Sequence, residues 1–281
     1  MGTHLYLVAT DLDGSLLDHD TYSYEPARAT LDLLEQLRIP VVLASSKTRA
    51  EMLELREEMG NEHPFIVENG AAIFVPERYF LRQPEGTVCR DGFWVRELVP
   101  AREHWQPALS QLAAKMPESF CSFAEAGVEG ISSMTGLSPE KAALANEREY
   151  SEPVQWRGDE EQLARFLHYL QQQGARVMRG GRFYSVGGQS DKGEAWQWLR
   201  QQYALASDAS RVYDLTIGDG GNDVPMLEIA DRALPIPAQG RPLPALQRSE
   251  DVITAQGFGP EAWAQGVQHW LRDLYQISNG E

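Results

Sequence analysis

The sequence predicts an α/β fold in which a doubly wound parallel sheet carries a smaller, inserted α+β domain. Residues 5–9 form an apolar run that lacks the alternation of half-buried strands and is typical of a strand buried on both faces, and residues 39–44 and 212–217 are predicted to be two further buried strands. Helical patterns follow these runs, which predicts a parallel sheet. Between residues 84 and 187 the strands become short and mixed. We therefore expect a core domain of residues 1–83 and 188–281, and an inserted domain of residues 84–187.

The composition indicates a globular protein with ample core. The 281 residues are 42% hydrophobic and 23% charged, and no apolar stretch reaches the roughly 18 residues that crossing a membrane requires. The N-terminus lacks the basic and apolar regions of a signal peptide. A net charge of −16 makes nucleic acid and anionic membranes unsuitable partners. Cys89 and Cys121 do not indicate a disulfide framework, so we expect a cytoplasmic protein. The sequence does not indicate an oligomeric state.

Two carboxylates follow the first predicted strand. Asp11 and Asp13 lie where this strand ends, and ligands of open α/β sheets bind at the carboxyl ends of the strands. Two carboxylates about 4 Å apart repel each other by roughly 4 kcal/mol at an intermediate dielectric constant, which indicates a cation such as Mg²⁺ between them. The alternative is a surface turn, because Asp and Gly are common turn residues.

The second predicted strand ends in a hydroxyl group followed by basic residues. Ser45, Lys47 and Arg49 combine a hydroxyl and two cations with the N–H groups of a helix start, which together suit an anion. Basic side chains in a first helical turn oppose the helix dipole, so their presence suggests another purpose. The alternative is an ordinary helix N-cap.

The last predicted core strand is followed by Gly-Asp-Gly-Gly-Asn-Asp, residues 218–223. Acids at a third strand end fit a metal better than a dinucleotide, because carboxylates would repel a pyrophosphate. Upstream, Lys192 is expected in the first turn of a helix, where a cation is unfavourable unless it faces an anion. The alternative for Lys192 is a solvated side chain.

The remaining core elements follow from periodicity and turn signals. Helices are predicted over residues 24–38, 190–205 and 260–277, with two more ending near residues 59 and 231. Residues 65–75 predict a hairpin about Asn69 and Gly70. Edge strands are predicted at residues 233–236 and 251–254.

The inserted domain is predicted to be a lid with an antiparallel sheet. Helices are expected over residues 105–116, 138–146 and 159–173, and strands over residues 154–156, 175–178 and 183–186. The turn Arg179-Gly180-Gly181-Arg182 is either a simple hairpin loop or a tip that contacts a carboxylate or phosphate of the substrate.

These motifs resemble those of the haloacid-dehalogenase-type phosphatases. The matching residues, in chain order, are Asp11, Asp13, Gly14, Ser45, Lys192, Gly218, Asp219, Asn222 and Asp223. Ser15 stands where that family usually has Thr, a change that keeps the hydroxyl. The insertion between the second and third motifs, together with the Glu-Asn-Gly-Ala of residues 68–71, resembles the subgroup with a type-2B cap.

The resemblance implies a role for each motif residue. Asp11 would be the nucleophile, Asp13 the general acid and base, and Ser45 and Lys192 would bind the phosphoryl group. Mg²⁺ would be held by Asp11, Asp13 through its backbone carbonyl, Asp219 and Asp223, with Asn222 arranging its waters. Whether Asp223 binds the metal directly or through water stays open.

Residues 44–51 and 179–183 are similar to those of the mannosyl-3-phosphoglycerate phosphatases. This resemblance implies Mg²⁺-dependent hydrolysis of mannosyl-3-phosphoglycerate to mannosylglycerate and phosphate. The substrate-binding candidates are Lys47, Thr48, Arg49, Gly180, Gly181 and Arg182. Alternatives are a phosphatase for glucosyl-3-phosphoglycerate, sucrose phosphate or hexose phosphates, a phosphosugar mutase, and a phospho-accepting signalling domain.

Overall fold

The computed structural model describes residues 4–180, 182–240 and 242–280, with side chains up to residue 274 in the last helix. The described chain divides into two compact units. The first unit takes its residues from Met1–Ser45, Glu62–Val95 and Asp191–Glu281, and the second unit consists of Ser46–Asn61 and Arg96–Ser190.

The boundaries of these units differ from the predicted ones in three places, the smallest being residues 188–190, which belong to the second unit. Residues 84–95 belong to the first unit because a hairpin there extends its sheet, and residues 46–61 belong to the second unit. A helix within residues 46–61 packs against a helix within residues 139–146, which explains its grouping.

Strands and helices alternate along much of the described chain. The strands are β1 (His4–Thr10), β2 (Val41–Ala44), β3 (Phe65–Val67), β4 (Ala72–Pro76), β5 (Val88–Arg90), β6 (Phe93–Glu97), β7 (Phe120–Ser122), β8 (Glu152–Trp156), β9 (Arg176–Arg179), β10 (Tyr184–Gly187), β11 (Arg211–Gly218) and β12 (Arg232–Pro235). The α-helices are α1 (Arg28–Gln36), α2 (Arg49–Met59), α3 (Gln106–Lys115), α4 (Phe123–Thr135), α5 (Pro139–Asn146), α6 (Glu160–Gln172), α7 (Lys192–Ala206), α8 (Val224–Ile229) and α9 (Gly259–Gly280).

The first unit is built on an eight-stranded sheet with the order β12-β11-β1-β2-β3-β4-β6-β5. The pairs from β12 to β3 are parallel, whereas β3 with β4 and β5 with β6 are antiparallel. In β1 the side chains of Leu7, Val8 and Ala9 are fully buried, as expected of a strand covered on both faces. The predicted α/β class with a parallel core is confirmed.

The strand order reverses at β1. From β1 the chain proceeds to β2 and β3 on one side, and it later returns to β11 and β12 on the other. The register pairs Thr10 of β1 with Ile217 of β11 and with Leu43 of β2, so the three strands end at the same edge. Such a switch point leaves a crevice at the carboxyl ends of the strands.

The predicted hairpin of residues 65–75 is confirmed. Strands β3 and β4 pair in antiparallel fashion, with Val67 opposite Ala72. Glu68, Asn69 and Gly70 between them have φ angles of 47°, 61° and 95°, three consecutive left-handed residues. Asn and Gly tolerate this conformation better than other residues, which is why the pair signals a turn.

The second unit contains a four-stranded antiparallel sheet of order β7-β8-β10-β9, in which the antiparallel character and the strands β8, β9 and β10 agree with the prediction. The apolar faces of α3 and α6 bury Leu109, Leu112, Phe166 and Leu170 in one core cluster with this sheet. A smaller cluster joins α4 and α5. The predicted helices at residues 105–116, 138–146 and 159–173 are confirmed, and α6 begins with a capping box at Asp159.

Several elements differ from the prediction. Helix α4 was not expected, because Gly127 and Gly130 weaken its pattern, and the chain kinks at Gly127 where φ is 61°. Strands β5, β6 and β7 were also missed. The predicted strand at residues 251–254 is wrong, since only Val252 forms an isolated bridge, to Ala233. No helix in the described part of the chain has the length and apolarity to cross a membrane.

Candidate active site

The motif residues of the first unit converge at the ends of β1, β2 and β11. Asp11 follows β1 directly, and its N–H donates to the carbonyl of Ile217 in β11 at 2.8 Å. Ser45 follows β2 and is fully buried, with its N–H donating to the carbonyl of Ile66 at 3.0 Å. Main-chain hydrogen bonds to neighbouring strands thus fix both positions.

Three carboxylates form a cluster at this edge. Asp11, Asp219 and Asp223 each offer an oxygen, and these oxygens lie within 4.8 Å of one another. Asp11 is 5% exposed and Asp223 is fully buried. Gly14 permits the close packing, since a Cβ there would lie 2.7 Å from Asp219 Oδ2 and its φ is +81°.

Lys192 supplies the positive charge of the cluster. Its fully buried Nζ donates to Asp11 Oδ1 at 2.5 Å and to Asp223 Oδ1 at 2.6 Å. Asp191 caps α7, with its side chain accepting from the N–H of Glu194, and so begins the helix at Lys192. The two carboxylates offset the cost of burying a cation in a first helical turn.

Asp223 braces the loop that carries Asp219. Its Oδ2 accepts from the N–H groups of Asp219 at 3.1 Å and Gly220 at 2.9 Å, while its Oδ1 accepts from Lys192. Gly218 leaves room for this arrangement, because a Cβ there would lie 2.3 Å from the Cβ of Asp223. Asp223 therefore closes the loop and also belongs to the acidic cluster.

The electrostatics of the cluster favour a bound cation. Burial and the neighbouring Asp223 raise the pKa of Asp11, and Lys192 opposes that rise. Burial alone would lower the pKa of Lys192, but Asp11 and Asp223 raise it above its ordinary value. Three carboxylates against one ammonium leave excess negative charge, and an all-oxygen donor set suits a hard divalent cation. The described residues therefore fit a metal site.

A second layer of hydrogen bonds supports the end of β1. Thr10 Oγ1 donates to the carbonyl of Asp11 at 2.7 Å and accepts from Trp263 Nε1 in α9 at 2.9 Å. Neither residue was predicted to contribute to the site, although a polar Thr10 at the end of an apolar run is a signal in the sequence. Asp13 is half-buried, and its backbone bridges to Leu17.

Asn222 is exposed, and its side chain meets the turn between β3 and β4. Its Nδ2 donates to Asn69 Oδ1 at 3.2 Å. Asn222 was predicted to lie beside the acidic cluster, whereas Asn69 was predicted only as a turn residue.

In the second unit, Thr48 is the N-cap of α2. It forms a capping box with Glu51, so the cap alternative raised for Ser45 applies to Thr48 instead. Arg49 Nε donates to Glu149 Oε1 at 2.6 Å. Lys47 precedes this cap in the same segment.

The turn between β9 and β10 holds the other substrate-binding candidates. Gly180 N–H donates to the carbonyl of Phe183 at 2.8 Å, which closes a hairpin. Arg182 donates to the carbonyls of Met134 at 3.3 Å and Thr135 at 3.1 Å, at the end of α4. Gly181 lies outside the described residues.

The fold and the site together define an α/β enzyme with an acidic, lysine-bridged centre at the strand ends of a parallel sheet. The sequence profile of the haloacid dehalogenase-like hydrolases matches residues 8–84. A glucosyl-3-phosphoglycerate/mannosyl-3-phosphoglycerate phosphatase of Methanococcoides burtonii is 34% identical over 265 residues, which cover 93% of this chain and 96% of that protein. The chain therefore belongs to the haloacid dehalogenase-like hydrolases, and within them it is a phosphoric monoester hydrolase.

Solved structures are similar to this chain in fold. A protein of Thermoplasma acidophilum superposes with a TM-score of 0.66 at 20% identity, over 95% of this chain and 98% of that one. The sucrose-phosphatase of Synechocystis sp. PCC6803, solved with sucrose and phosphate, gives a TM-score of 0.60 at 17% identity, over 95% and 98% of the two chains.

Proposed function

We propose that the chain is a Mg²⁺-dependent phosphatase that converts mannosyl-3-phosphoglycerate to mannosylglycerate and phosphate. The name of the Methanococcoides burtonii relative supports a glycosyl-3-phosphoglycerate as substrate, and it includes the glucosyl form as the alternative. The segments at residues 44–51 and 179–183 favour the mannosyl form by their resemblance to the mannosyl-3-phosphoglycerate phosphatases.

One observation carries the phosphoryl-transfer part of the proposal. The buried Lys192 bridges Asp11 and Asp223, and one oxygen of each of these carboxylates and one of Asp219 lie within 4.8 Å of one another. A lysine beside a carboxylate favours its ionised, nucleophilic form and can also balance the charge of a phosphoryl oxygen. A site built for proton transfer alone would have no need of this charge arrangement.

In the proposed mechanism Asp11 attacks phosphorus and forms an aspartyl-phosphate. The bond from phosphorus to the glycerate oxygen breaks, and Asp13 gives that oxygen a proton. Asp13 then takes a proton from a water molecule, whose oxygen attacks phosphorus and releases phosphate with regeneration of Asp11. Ser45 and Lys192 hold the phosphoryl oxygens, where charge must be stabilised in the transition state.

Mg²⁺ would be held by Asp11, the backbone carbonyl of Asp13, Asp219 and Asp223. When bound, it would offset the repulsion between a carboxylate nucleophile and a dianionic phosphate. Asn222 would arrange its water ligands. The hard carboxylate oxygens within 4.8 Å of one another support this assignment.

Substrate selection is assigned to residues of the second unit by resemblance. Lys47, Arg49 and Arg182 are the candidates for binding the glycerate carboxylate, because guanidinium and ammonium groups suit carboxylates. The remaining candidates for contacting the substrate are Thr48, Gly180 and Gly181. The proposed location is the cytoplasm, which agrees with Cys89 and Cys121 being free thiols.

The test is phosphate release from a panel of phosphorylated compounds. Phosphate release should be faster from mannosyl-3-phosphoglycerate than from glucosyl-3-phosphoglycerate, sucrose phosphate, hexose phosphates or 3-phosphoglycerate. Chelation should abolish turnover, and added Mg²⁺ should restore it. Asp11→Asn should lower kcat by at least about 10³-fold. Formation of an isomerised phosphosugar without phosphate release would identify a mutase, and retained activity of Asp11→Asn would exclude the mechanism.

A further inference from the structure

We propose that Asn69 is a positioning residue for the active-site loop, and that it acts by holding the side chain of Asn222. The inference rests on the proposed function in taking the chain as a phosphatase that binds Mg²⁺ at the acidic cluster. Asn69 bears no acid, base or nucleophile, so its effect must come from geometry. It lies in the left-handed turn between β3 and β4, all within the first unit.

The backbone of this turn is tied to two of the motif segments. Asn69 N–H donates to the carbonyl of Ser45 at 2.9 Å. A Cβ at Gly70 would lie 2.2 Å from the carbonyl oxygen of Asp191 and 2.8 Å from the N–H nitrogen of Lys192. Only glycine allows this approach at a φ of +95°, so the turn packs directly against the start of α7.

The side chain of Asn69 contacts a third motif segment, the loop of residues 218–223. Asn222 Nδ2 donates to Asn69 Oδ1 at 3.2 Å. At its other end, Asn222 Oδ1 lies 2.6 Å from where a Cβ of Gly220 would be, so the amide covers the loop backbone at Gly220. The amide of Asn222 is therefore held between its own loop and the turn.

The turn thereby links the strand end bearing Ser45, the helix start bearing Lys192 and the loop bearing Asp219. Without the acceptor at Asn69, Asn222 loses one of the contacts that fix its orientation beside the acidic cluster. A net hydrogen-bond contribution of ordinary size corresponds to a change of roughly three- to tenfold in rate or affinity. We expect that change in kcat and in the dissociation constant of Mg²⁺, with little change in substrate KM.

The experiment separates the side-chain acceptor from the backbone conformation. Asn69→Gly keeps the left-handed conformation and the N–H but removes the acceptor, whereas Asn69→Asp keeps the acceptor in a residue that tolerates this conformation. Arg38→Gly is the matched control, because Arg38 is also left-handed, with φ 56°, and is exposed at the end of α1. The readouts are kcat, KM, the thermal midpoint of unfolding, and the Mg²⁺ dissociation constant from calorimetry with MgCl₂ and no substrate.

Asn69→Gly should lower kcat and weaken Mg²⁺ binding by roughly three- to tenfold, while Asn69→Asp should stay within about threefold of the unmodified chain. Arg38→Gly should change neither quantity. The double variant Asn69→Gly with Asn222→Ala should have the same kcat and Mg²⁺ dissociation constant as Asn222→Ala alone, because the two substitutions remove the same interaction. Additive losses in the double variant, or an Asn69→Gly variant with unchanged Mg²⁺ affinity and kcat, would overturn the inference. An unmodified chain that releases no phosphate or binds no Mg²⁺ would instead refute the proposed function.

Discussion

Replacement of Lys192 by Met tests the charge balance of the acidic cluster. The change keeps most of the side-chain volume but removes the ammonium that lies 2.5 Å from Asp11 and 2.6 Å from Asp223. Removing one partner of a buried ion pair costs about 3 kcal/mol or more, because the remaining charges are left uncompensated. We expect that loss in the free energy of unfolding at pH 8, measured by urea denaturation without metal. We also expect kcat to fall by at least about 10²-fold, because a group that stabilises the transition-state charge is lost.

The loss of stability in Lys192→Met should depend on pH. Burial already raises the pKa of Asp11 in the folded chain above its unfolded value, so stability falls as the pH rises through the folded pKa. Without Lys192 the pKa of Asp11 rises further, because Lys192 is what lowers it. The variant should therefore lose stability with rising pH over a wider range than the unmodified chain, and the two should approach each other below about pH 4.

Lys141→Met is the matched control for this experiment. Lys141 Nζ lies 2.7 Å from Glu54 Oε2, a distance similar to those of Lys192, but both side chains are about half exposed. Exposed pairs contribute little, so we expect a change below about 1 kcal/mol and unchanged kcat. Equal effects of the two substitutions on stability, or full activity of Lys192→Met, would refute the argument from buried charge.

Two further substitutions test the framework of the first unit. Gly70→Ala should lower the free energy of unfolding by about 2 kcal/mol or more and lower activity, because a Cβ would lie 2.2 Å from the carbonyl oxygen of Asp191. Gly60→Ala is the control, because nothing lies within 4 Å of a Cβ there. Equal stability of the two variants would contradict the reasoning. Burial raises the pKa of Asp214 to about 6, so the free energy of unfolding should fall as the pH rises from about 4 to 6. In Asp214→Asn, the free energy of unfolding from urea denaturation should change less over this pH range. An unaltered profile in Asp214→Asn would show that another group titrates there.

The sequence predicted the parallel core because buried strands have a distinctive pattern. The predicted buried strands end within two residues of Asp11, Ser45 and the Gly218–Asp223 loop, and strand ends in a parallel sheet meet at one edge. Local composition therefore carried information about a non-local site. The expectation that Lys192 faces an anion followed from the same reasoning, since a basic first turn is unfavourable by itself.

Other features depend on tertiary contacts that no local pattern records. The bond from Trp263 to Thr10 joins residues 253 positions apart, and it depends on how α9 packs. Asp223 was expected near a metal, but its role as a brace for the N–H groups of Asp219 and Gly220 follows only from the loop's conformation. Helix α4 was missed because glycines lower helix propensity, while its packing against α5 stabilises it nonetheless.

The most direct test of the account is to locate the phosphorylated residue during turnover. The enzyme is mixed with mannosyl-3-phosphoglycerate and Mg²⁺, quenched in acid and reduced with borohydride, which converts an aspartyl-phosphate to homoserine. Peptide mass spectrometry should then find homoserine at position 11, and the modification should be absent without substrate. Sustained phosphate release with no modification at Asp11, or with modification at another residue, would contradict the assignment of Asp11 as the nucleophile.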